Sequence, residues 1–265
     1  MKEINFTKMH GLGNDFVLIE GRKEALDQLE IKKLAVDICD RHFGVGADGL
    51  LIVWPSQKAH YRMQIFNPDG SEPEMCGNGI RCFAKYVYET DQLKEEVISV
   101  ETLAGVILPA VILGPEKQVL GVEVDMGIPK DEGEIALQGY KFRKISIGNP
   151  HAIALVDELS KINLSDVGPK IENDKHFPNR TNVEFVKVLS EKELEVIVWE
   201  RGAGETLACG TGACASMAAA SILGRIGRRA LVHLPGGNLE IEWSEDKHLL
   251  LRGPAEKVFE GKYYL

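Results

Sequence analysis

At 265 residues the chain is long enough for one large domain or for two of about 130 residues, each able to bury a core. Hydrophobic residues make up 44% and charged residues 27%, which is ordinary for a globular protein. The net charge of −9, without a basic cluster, argues against nucleic acid or an anionic membrane as a partner.

The amino-terminal residues lack the apolar stretch of a signal peptide, and no apolar run approaches the roughly 20 residues that span a bilayer. The five cysteines are an odd number, and their spacing matches neither a disulfide framework nor a zinc site. We therefore expect a soluble, cytoplasmic protein that binds no metal.

The first half alternates β-branched runs with helical periodicity. The predicted strands lie near 3–8, 15–20, 50–53, 61–66, 97–101 and 105–113, and the predicted helices near 31–42 and 77–89. Residues 11–13 read Gly-Leu-Gly, but this is a weak nucleotide-binding signal because the chain continues as a strand and no helix follows.

The second half repeats this plan after Gly114-Pro115-Glu116, the candidate linker. A helix near 157–173 is expected to break at Gly168-Pro169, and another is expected over about 211–224. The predicted strands lie near 119–125, 141–147, 152–156, 182–189, 194–199, 230–234 and 238–243, with two more beyond Leu249. We expect a domain of residues 1–114 and a domain of residues 115–254.

The clearest pattern is an internal repeat. A shift of 133 positions superposes Cys76-Gly77-Asn78-Gly79 on Cys209-Gly210-Thr211-Gly212 without a gap, and each motif follows an apolar run. Gly13-Asn14 and Gly148-Asn149 precede the two cysteines by nearly the same distance. Two diverged copies of one unit explain this agreement better than chance does.

Each cysteine is predicted to lie at the start of a buried helix. The unpaired N–H groups and the positive end of the helix dipole gather there, which favours a thiolate and a bound anion. Two such thiols on opposite faces of one carbon can invert its configuration, because one removes a proton and the other returns a proton from the far side.

Several motifs together resemble the diaminopimelate epimerase family, in order and over the whole chain. They are Met9-His10-Gly11-Leu12-Gly13-Asn14-Asp15-Phe16, Asn67-Pro68-Asp69-Gly70-Ser71, the stretch from Cys76 to Cys82, Gly148-Asn149-Pro150-His151, and the stretch from Glu200 to Gly212.

The resemblance implies an α/β (α+β) fold of two pseudo-symmetric repeats, each a curled, mixed and mainly antiparallel sheet around a central helix. It implies a strand near 255–265 that returns to the first repeat, and a homodimer. It also implies a cofactor-independent epimerase that interconverts LL- and meso-diaminopimelate in lysine and peptidoglycan biosynthesis.

The resemblance also implies site residues. Cys76 and Cys209 match the acid–base pair, and His151 and Glu200 match residues close to the reacting centre. The groups that match the holders of the reacting carboxylate are Gly77, Asn78, Gly210 and Thr211. The groups that match the rest of the substrate site are Asn14, Asn67, Asn149, Asn182 and Arg201. Gly49 departs from the family, because some members have a substrate-binding Gln there.

Three alternatives stay open at this point. The chain could be a two-thiol racemase of proline or hydroxyproline, although several Asn residues and Arg201 favour a longer substrate with two charged ends. It could be a thiol–disulfide redox protein, or a binding protein without catalysis. Asn14, Asn149 and Asn182 lie in turn contexts where Asn often bonds only the backbone.

Overall fold

The computed structural model describes residues 3–22, 24, 31–90 and 95–265. Within them the chain begins with eight strands and two helices. In chain order these are β1 (Glu3–Gly11), β2 (Asn14–Glu20), α1 (Ile31–Cys39), β3 (Gly49–Pro55), β4 (Tyr61–Phe66), α2 (Gly77–Thr90), β5 (Val100–Thr102), β6 (Gly105–Ile107), β7 (Ala110–Leu113) and β8 (Val119–Asp125).

The remaining described residues form ten strands, two α-helices and a short 3-10 helix, Leu159–Lys161. In chain order these are β9 (Lys130–Leu137), β10 (Tyr140–Ser146), β11 (Pro150–Leu155), α3 (Leu164–Glu172), β12 (Asn182–Ser190), β13 (Glu193–Glu200), β14 (Gly204–Thr206), α4 (Gly210–Ile222), β15 (Arg229–Leu234), β16 (Gly237–Trp243), β17 (Leu249–Gly253) and β18 (Glu256–Tyr264).

The chain divides into two compact units, Met1–Val124 with Gly253–Leu265, and Asp125–Arg252. Within the first unit β7 pairs with β8 as an antiparallel hairpin, and residues 114–118 form its turn. The predicted domain limits of residues 114, 115 and 254 stay a prediction.

The described part of the first unit holds a sheet in the order β18-β1-β2-β3-β4-β5-β6. β2 pairs with β3 and β4 with β5 in parallel, and the other neighbours are antiparallel. The core helix α2 packs on β1, β2, β3, β4 and β7. The carboxyl-terminal strand β18 thus lies at the edge of the first sheet beside β1, from Glu3 opposite Tyr264 to His10 opposite Glu256.

The second unit repeats this pairing. From β10 through β11, β12, β13 and β15 to β16 the neighbours alternate antiparallel, parallel, antiparallel, parallel and antiparallel, as they do from β1 to β6. The helix α4 is enclosed by β10, β11, β12, β13, β15 and β16. This duplicated architecture confirms the predicted fold class.

The small side chains of α4 explain how the second sheet closes around it. Ala213, Ala215, Ala218 and Ala219 are fully buried, and the described burial of this helix extends to Ala220. Alanine brings the surrounding strands close to the helix axis and has the highest intrinsic helix propensity. No helix among the described residues is long and apolar enough to cross a membrane.

The predictions for single helices and strands agree less well with the structure. The helix expected to break at Gly168-Pro169 does not break there, because α3 continues through Pro169 to Glu172. Pro169 lies in the sixth position, so the bond that its missing N–H would donate to the Ser165 carbonyl is lost, but the helix continues and the Asn173 N–H donates to the Pro169 carbonyl at 3.2 Å. The strand β9 was not predicted, since its alternation is interrupted by charged residues and a glycine. The first predicted helix ends at Cys39, three residues early.

Candidate functional site

The candidate site residues of the first unit lie at the start of α2. The sulfur of Cys76 accepts a hydrogen bond from the backbone N–H of Gly79 at 3.5 Å, and the Cys76 carbonyl accepts from Ile80 at 2.8 Å. Cys76 is partly buried. Its thiol is therefore held by the amides of the first helical turn, as the sequence predicts.

Asn14 is brought to this thiol by a tight hairpin. Leu12 and Gly13 both have positive φ, of 56° and 86°, so they form the two-residue turn between β1 and β2. The Gly-Leu-Gly stretch is thus a hairpin turn. The Asn14 carbonyl oxygen, Oδ1, accepts from the Asn78 amide at 3.2 Å and from the Cys76 sulfur at 3.8 Å.

A charged cluster fixes the orientation of the Asn14 amide. Its Nδ2 donates to Asp48 Oδ2 at 2.9 Å, and Arg41 Nη2 bridges Asp48 and Asp15 at 2.7 Å each. Lys8 lies 2.7 Å from Asp15 on the other side. Burial alone would raise the pKa of Asp15, but these two cations lower it to about 2. Because Asp48 holds the nitrogen of the Asn14 amide, Asn14 presents its oxygen to Cys76.

The other predicted residues of this half lie nearby in sequence but have separate partners. Asn67 Nδ2 donates to the hydroxyl of Ser71 at 2.9 Å, within its own turn. The Gly77 carbonyl accepts from Arg81 at 3.1 Å. Gly49 carries no side chain, and a Cβ there would lie 3.0 Å from the Phe66 carbonyl oxygen.

The second unit has the same arrangement at the start of α4. Cys209 is the N-cap, with φ −122° and ψ 114°, and its sulfur accepts from the backbone N–H of Gly212 at 3.4 Å. The hydroxyl of Thr211 lies 3.5 Å from the same sulfur. Unlike Cys76, Cys209 is buried.

A chain of side chains leads away from Cys209 into the second sheet. Asn149 Nδ2 donates to Thr211 Oγ1 at 3.2 Å, and Asn149 Oδ1 lies 3.0 Å from His151 Nε2. His151 Nδ1 lies 2.7 Å from Glu184 Oε1, and both of these side chains have 0% exposure. The chain therefore joins the thiol to a fully buried carboxyl group.

The electrostatics of Cys209 differ from the sequence-based expectation of a lowered pKa. Burial raises the pKa of Cys209 well above its ordinary value, and a negative charge on the carboxyl group of Glu200 or Glu184 raises it further. Thr211 and the Gly212 N–H lower it by less. That expectation was wrong for this conformation, because the helix start does not offset the desolvation of a fully buried thiolate.

The loop after β13 holds Glu200 and Arg201. Glu200 Oε1 accepts from the hydroxyl of Thr206 at 2.5 Å. The side chain of Asn182 bonds only backbone groups in the described contacts, donating to the Pro150 carbonyl and accepting from the Arg201 N–H at 2.9 Å each. Asn182 thus anchors the backbone of Arg201, whose guanidinium donates to the Asn179 carbonyl at 3.1 Å.

Comparison with known proteins agrees with the duplicated site. A family model described as diaminopimelate epimerase matches residues 6–130 and 143–258. The chain belongs to the diaminopimelate epimerase family.

Curated members of the family are similar over nearly their whole length. The chain is 50% identical to the diaminopimelate epimerase of Pelotomaculum thermopropionicum, covering 98% of this chain and 99% of that one. It is also 50% identical to the diaminopimelate epimerase of Moorella thermoacetica, covering 99% of this chain and 100% of that one.

Solved structures with lower identity share the fold. A Bacillus anthracis phenazine biosynthesis protein of the PhzF family matches with a TM-score of 0.79 at 19% identity, over 100% of both chains. A hydroxyproline epimerase from Agrobacterium vitis matches with a TM-score of 0.73 at 13% identity, over 98% of this chain and 92% of that one.

Three buried or partly buried carboxylates of this family member were not predicted from the sequence. Asp48 holds Asn14, and Glu184 holds His151. Glu172 accepts from Trp199 Nε1 at 2.7 Å and from the Gly202 N–H at 2.9 Å, so it supports the loop that carries Glu200 and Arg201. For Glu184 a signal existed, since it is one acidic residue within the apolar run of β12. Among the described residues no group of three or more His, Cys, Asp or Glu is arranged to hold a metal ion.

Proposed function

We propose that this family member interconverts LL- and meso-diaminopimelate by two-base proton transfer at one α-carbon, without a cofactor. The observation that carries the proposal is the repeated cap: each repeat places a cysteine at the start of its central helix, where an asparagine is hydrogen-bonded, Asn14 to Cys76 and Asn149 to Thr211. Family membership supplies the substrate, since the similar curated proteins are named diaminopimelate epimerases.

In the proposed step, the thiolate of one cysteine takes the α-proton while the thiol of the other gives its proton to the opposite face. The C–H bond breaks on one side of the carbon and a new C–H bond forms on the other, so the two cysteines exchange protonation states. Return to the starting state requires proton exchange with solvent or the reverse reaction.

The carbanion formed in this step needs stabilisation, because the α-proton of an amino acid is a very weak acid. We assign this to the helix-start groups of Gly77, Asn78, Gly210 and Thr211, whose N–H groups and side chains suit a carboxylate gaining enolate character. Glu200 and His151 are assigned to the surroundings of the reacting carbon.

The rest of the substrate is assigned to Asn14, Asn67, Asn149, Asn182 and Arg201. The guanidinium of Arg201 suits the distal carboxylate as a bidentate partner, and its 3.1 Å bond to the Asn179 carbonyl is exposed and replaceable. We also propose that the enzyme works as a homodimer in the cytoplasm. Light scattering after gel filtration tests the dimer, and cell fractionation tests the location.

The activity is tested with purified enzyme under reducing conditions. LL-diaminopimelate in deuterated water is expected to give meso-diaminopimelate with deuterium at the inverted α-carbon, and proline is expected to give no exchange. Turnover of proline alone would contradict the substrate. Activity confined to the oxidised protein would contradict the acid–base role of the thiols, because a disulfide removes both.

A further inference from the structure

Glu184 is an unusual residue for its position. It lies in β12 opposite Ile153 of β11, between the fully buried Val183 and Phe185. Its Oε1 atom meets His151, and its Oε2 atom is buried without a hydrogen-bond partner among the described residues. An ionised carboxylate in such a place is strongly disfavoured unless all its oxygens are paired.

The hydrogen bonds around His151 require a proton between the two side chains. Asn149 directs its Nδ2 to Thr211, so its oxygen faces His151 Nε2, which must then carry a hydrogen. The second nitrogen, Nδ1, lies 2.7 Å from Glu184 Oε1. Two lone pairs would repel at that distance, so a proton lies in this bond.

The surroundings place that proton on Glu184. Burial raises the pKa of Glu184, more than the neighbouring His151 lowers it. A neutral carboxylic acid leaves Oε2 as a carbonyl oxygen, which loses less by having no partner than a carboxylate oxygen does. The pair is then a neutral acid that donates to a neutral imidazole.

The direction of these hydrogen bonds also sets the direction of two further hydrogen bonds that lead to the Cys209 thiol. Because Thr211 accepts from Asn149, its own hydroxyl hydrogen is available for the sulfur of Cys209, 3.5 Å away. The ionisable groups that bear on Cys209 within this unit are Glu184 and Glu200. A neutral Glu184 removes one of the two negative charges that would oppose a thiolate.

The repeat shows that this arrangement belongs to one half only. Under the shift of 133 positions, Glu184 corresponds to Leu51 and Gly212 corresponds to Gly79. A Cβ on Gly212 would lie 2.7 Å from Glu184 Oε1, whereas a Cβ on Gly79 would lie 3.4 Å from Leu51 Cδ2. The carboxyl group of Glu184 thus lies directly against the first turn of α4.

We propose that Glu184 is a positioning residue for the Cys209 half of the site: its protonated carboxyl group donates to His151 and so fixes the hydrogen bonds through Asn149 and Thr211 that end on the Cys209 sulfur. This rests on the proposed function for its catalytic meaning. Glu184 itself does not touch the reacting atoms.

The test compares Glu184→Gln with Glu184→Met. Glutamine keeps a donor for His151 Nδ1, and methionine keeps the volume without a donor. We expect E184M to lower kcat about tenfold with little change in KM, and to raise the pKa of Cys209 by about one unit, the effect of losing one hydrogen bond to a charged group. E184Q is expected to lose much less activity and to shift this pKa little.

The pKa of Cys209 is read from its 13Cβ resonance, assigned with Cys209→Ser. Glu240→Gln is the control, a partly buried glutamate of the same unit that pairs with Arg229 and Arg252 outside this chain of hydrogen bonds, and is expected to leave the Cys209 pKa in place. Equal impairment of E184Q and E184M would overturn the proposal, since it would mean that a carboxylate is required. A Cys209 pKa that falls in both variants, or moves in neither, would also overturn it.

The wild-type protein gives a second test that does not depend on how the variants fold. The 15N spectrum of His151, assigned with His151→Gln, is expected to show a protonated Nε2 and an unprotonated, hydrogen-bonded Nδ1. A doubly protonated imidazolium or the opposite tautomer would exclude the proposal. Neither spectrum needs turnover, so absence of epimerase activity would refute the proposed function and leave this inference to be judged by the spectra.

Discussion

The two cysteine clusters, one in each unit, share the same helix start and differ in the side chains that surround it. In both, a cysteine sulfur accepts from the N–H three residues along, at 3.5 Å for Cys76 and 3.4 Å for Cys209. The strand pairs beneath also share their register, since Phe16 lies opposite Gly49 and His151 opposite Asn182. The first pair is apolar and the second polar.

This difference changes the direction of the hydrogen bonds at each thiol. Asp48 turns the amide of Asn14 so that its oxygen faces Cys76, whereas the amide of Asn149 directs its nitrogen to Thr211. The first support is a partly exposed cluster of charges, and the second is a chain of hydrogen bonds that ends in the fully buried pair of His151 and Glu184. Duplication has therefore kept the helix cap, and the polar surroundings of the two thiols have diverged.

The largest expected effect tests whether the two thiols are equally necessary. Cys76→Ala and Cys209→Ala should each lower kcat by about 10³-fold or more, because each removes one acid–base group. Turnover and solvent deuterium exchange measure the loss, and calorimetry should still detect substrate binding. Cys82→Ala is the control, since burial raises the pKa of this core thiol in α2 to about 12. If either alanine variant kept normal exchange of the α-proton with solvent deuterium, the two-base mechanism would be contradicted.

A second change introduces a glutamate into the first unit at Leu51, the position that corresponds to Glu184 in the second. Leu51→Glu should lower the free energy of unfolding by about 3 kcal/mol or more, because Phe16 stands where the second half has a histidine and the new carboxyl has no partner. Urea denaturation measures the loss. Leu51→Met, which keeps the volume, should cost less than about 1.5 kcal/mol. Equal stability of the two variants would show that the first half accommodates a buried acid.

The charged cluster of the first half predicts a dependence of stability on pH. The pKa of Asp15 is lowered to about 2 in the folded chain, from an ordinary value of 3.8. Its ionisation therefore stabilises the folded state above pH 3.8, and that contribution is lost as the pH falls towards 2. Asp15→Asn should cost about 2 kcal/mol at pH 7, and the gap to the wild type should narrow between about pH 4 and 2. A gap that stays constant down to pH 2 would contradict the charge pairing.

The smallest expected effect is a difference in stability between alanine substitutions at Gly79 and at Gly212, the glycines of the two helix starts. Gly79→Ala should be neutral or stabilise by up to about 1 kcal/mol, because its Cβ meets neighbours at 3.4 Å or more and alanine favours the helix. Gly212→Ala should destabilise by about 1 kcal/mol, since crowding against Glu184 Oε1 at 2.7 Å exceeds the gain in helix propensity. Thermal denaturation of the pair measures both, and the opposite order would mean that Glu184 moves aside freely.

The sequence predicted the two helix starts and their cysteines well, because residues close together in the chain form each of them. The motif Cys-Gly-x-Gly after an apolar run marks a strand, a turn and a helix start, and the repeat predicted two of them. The asparagines were predicted as site residues from the family resemblance, since turn contexts alone favour bonds to the backbone. Family resemblance then supplied the substrate.

The supports of the site could not be predicted in this way, because they are contacts between distant parts of the chain. Asp48 meets Asn14 across 34 positions, and Glu184 meets His151 across 33. Only the parallel pairing of strands brings them together. The raised pKa of Cys209 depends on the burial of its thiol, which the spacing of residues does not show.

The pairing of β18 with β1 also bears on how the protein is made. The first sheet receives its edge strand from residues 256–264, and Arg81 in α2 bonds the Pro254 carbonyl at 3.2 Å. A ribosome releases the whole of Asp125–Arg252 before it supplies that strand. The first unit in the chain is thus the last to be completed, because the edge of β1 has no partner strand until β18 has been synthesised.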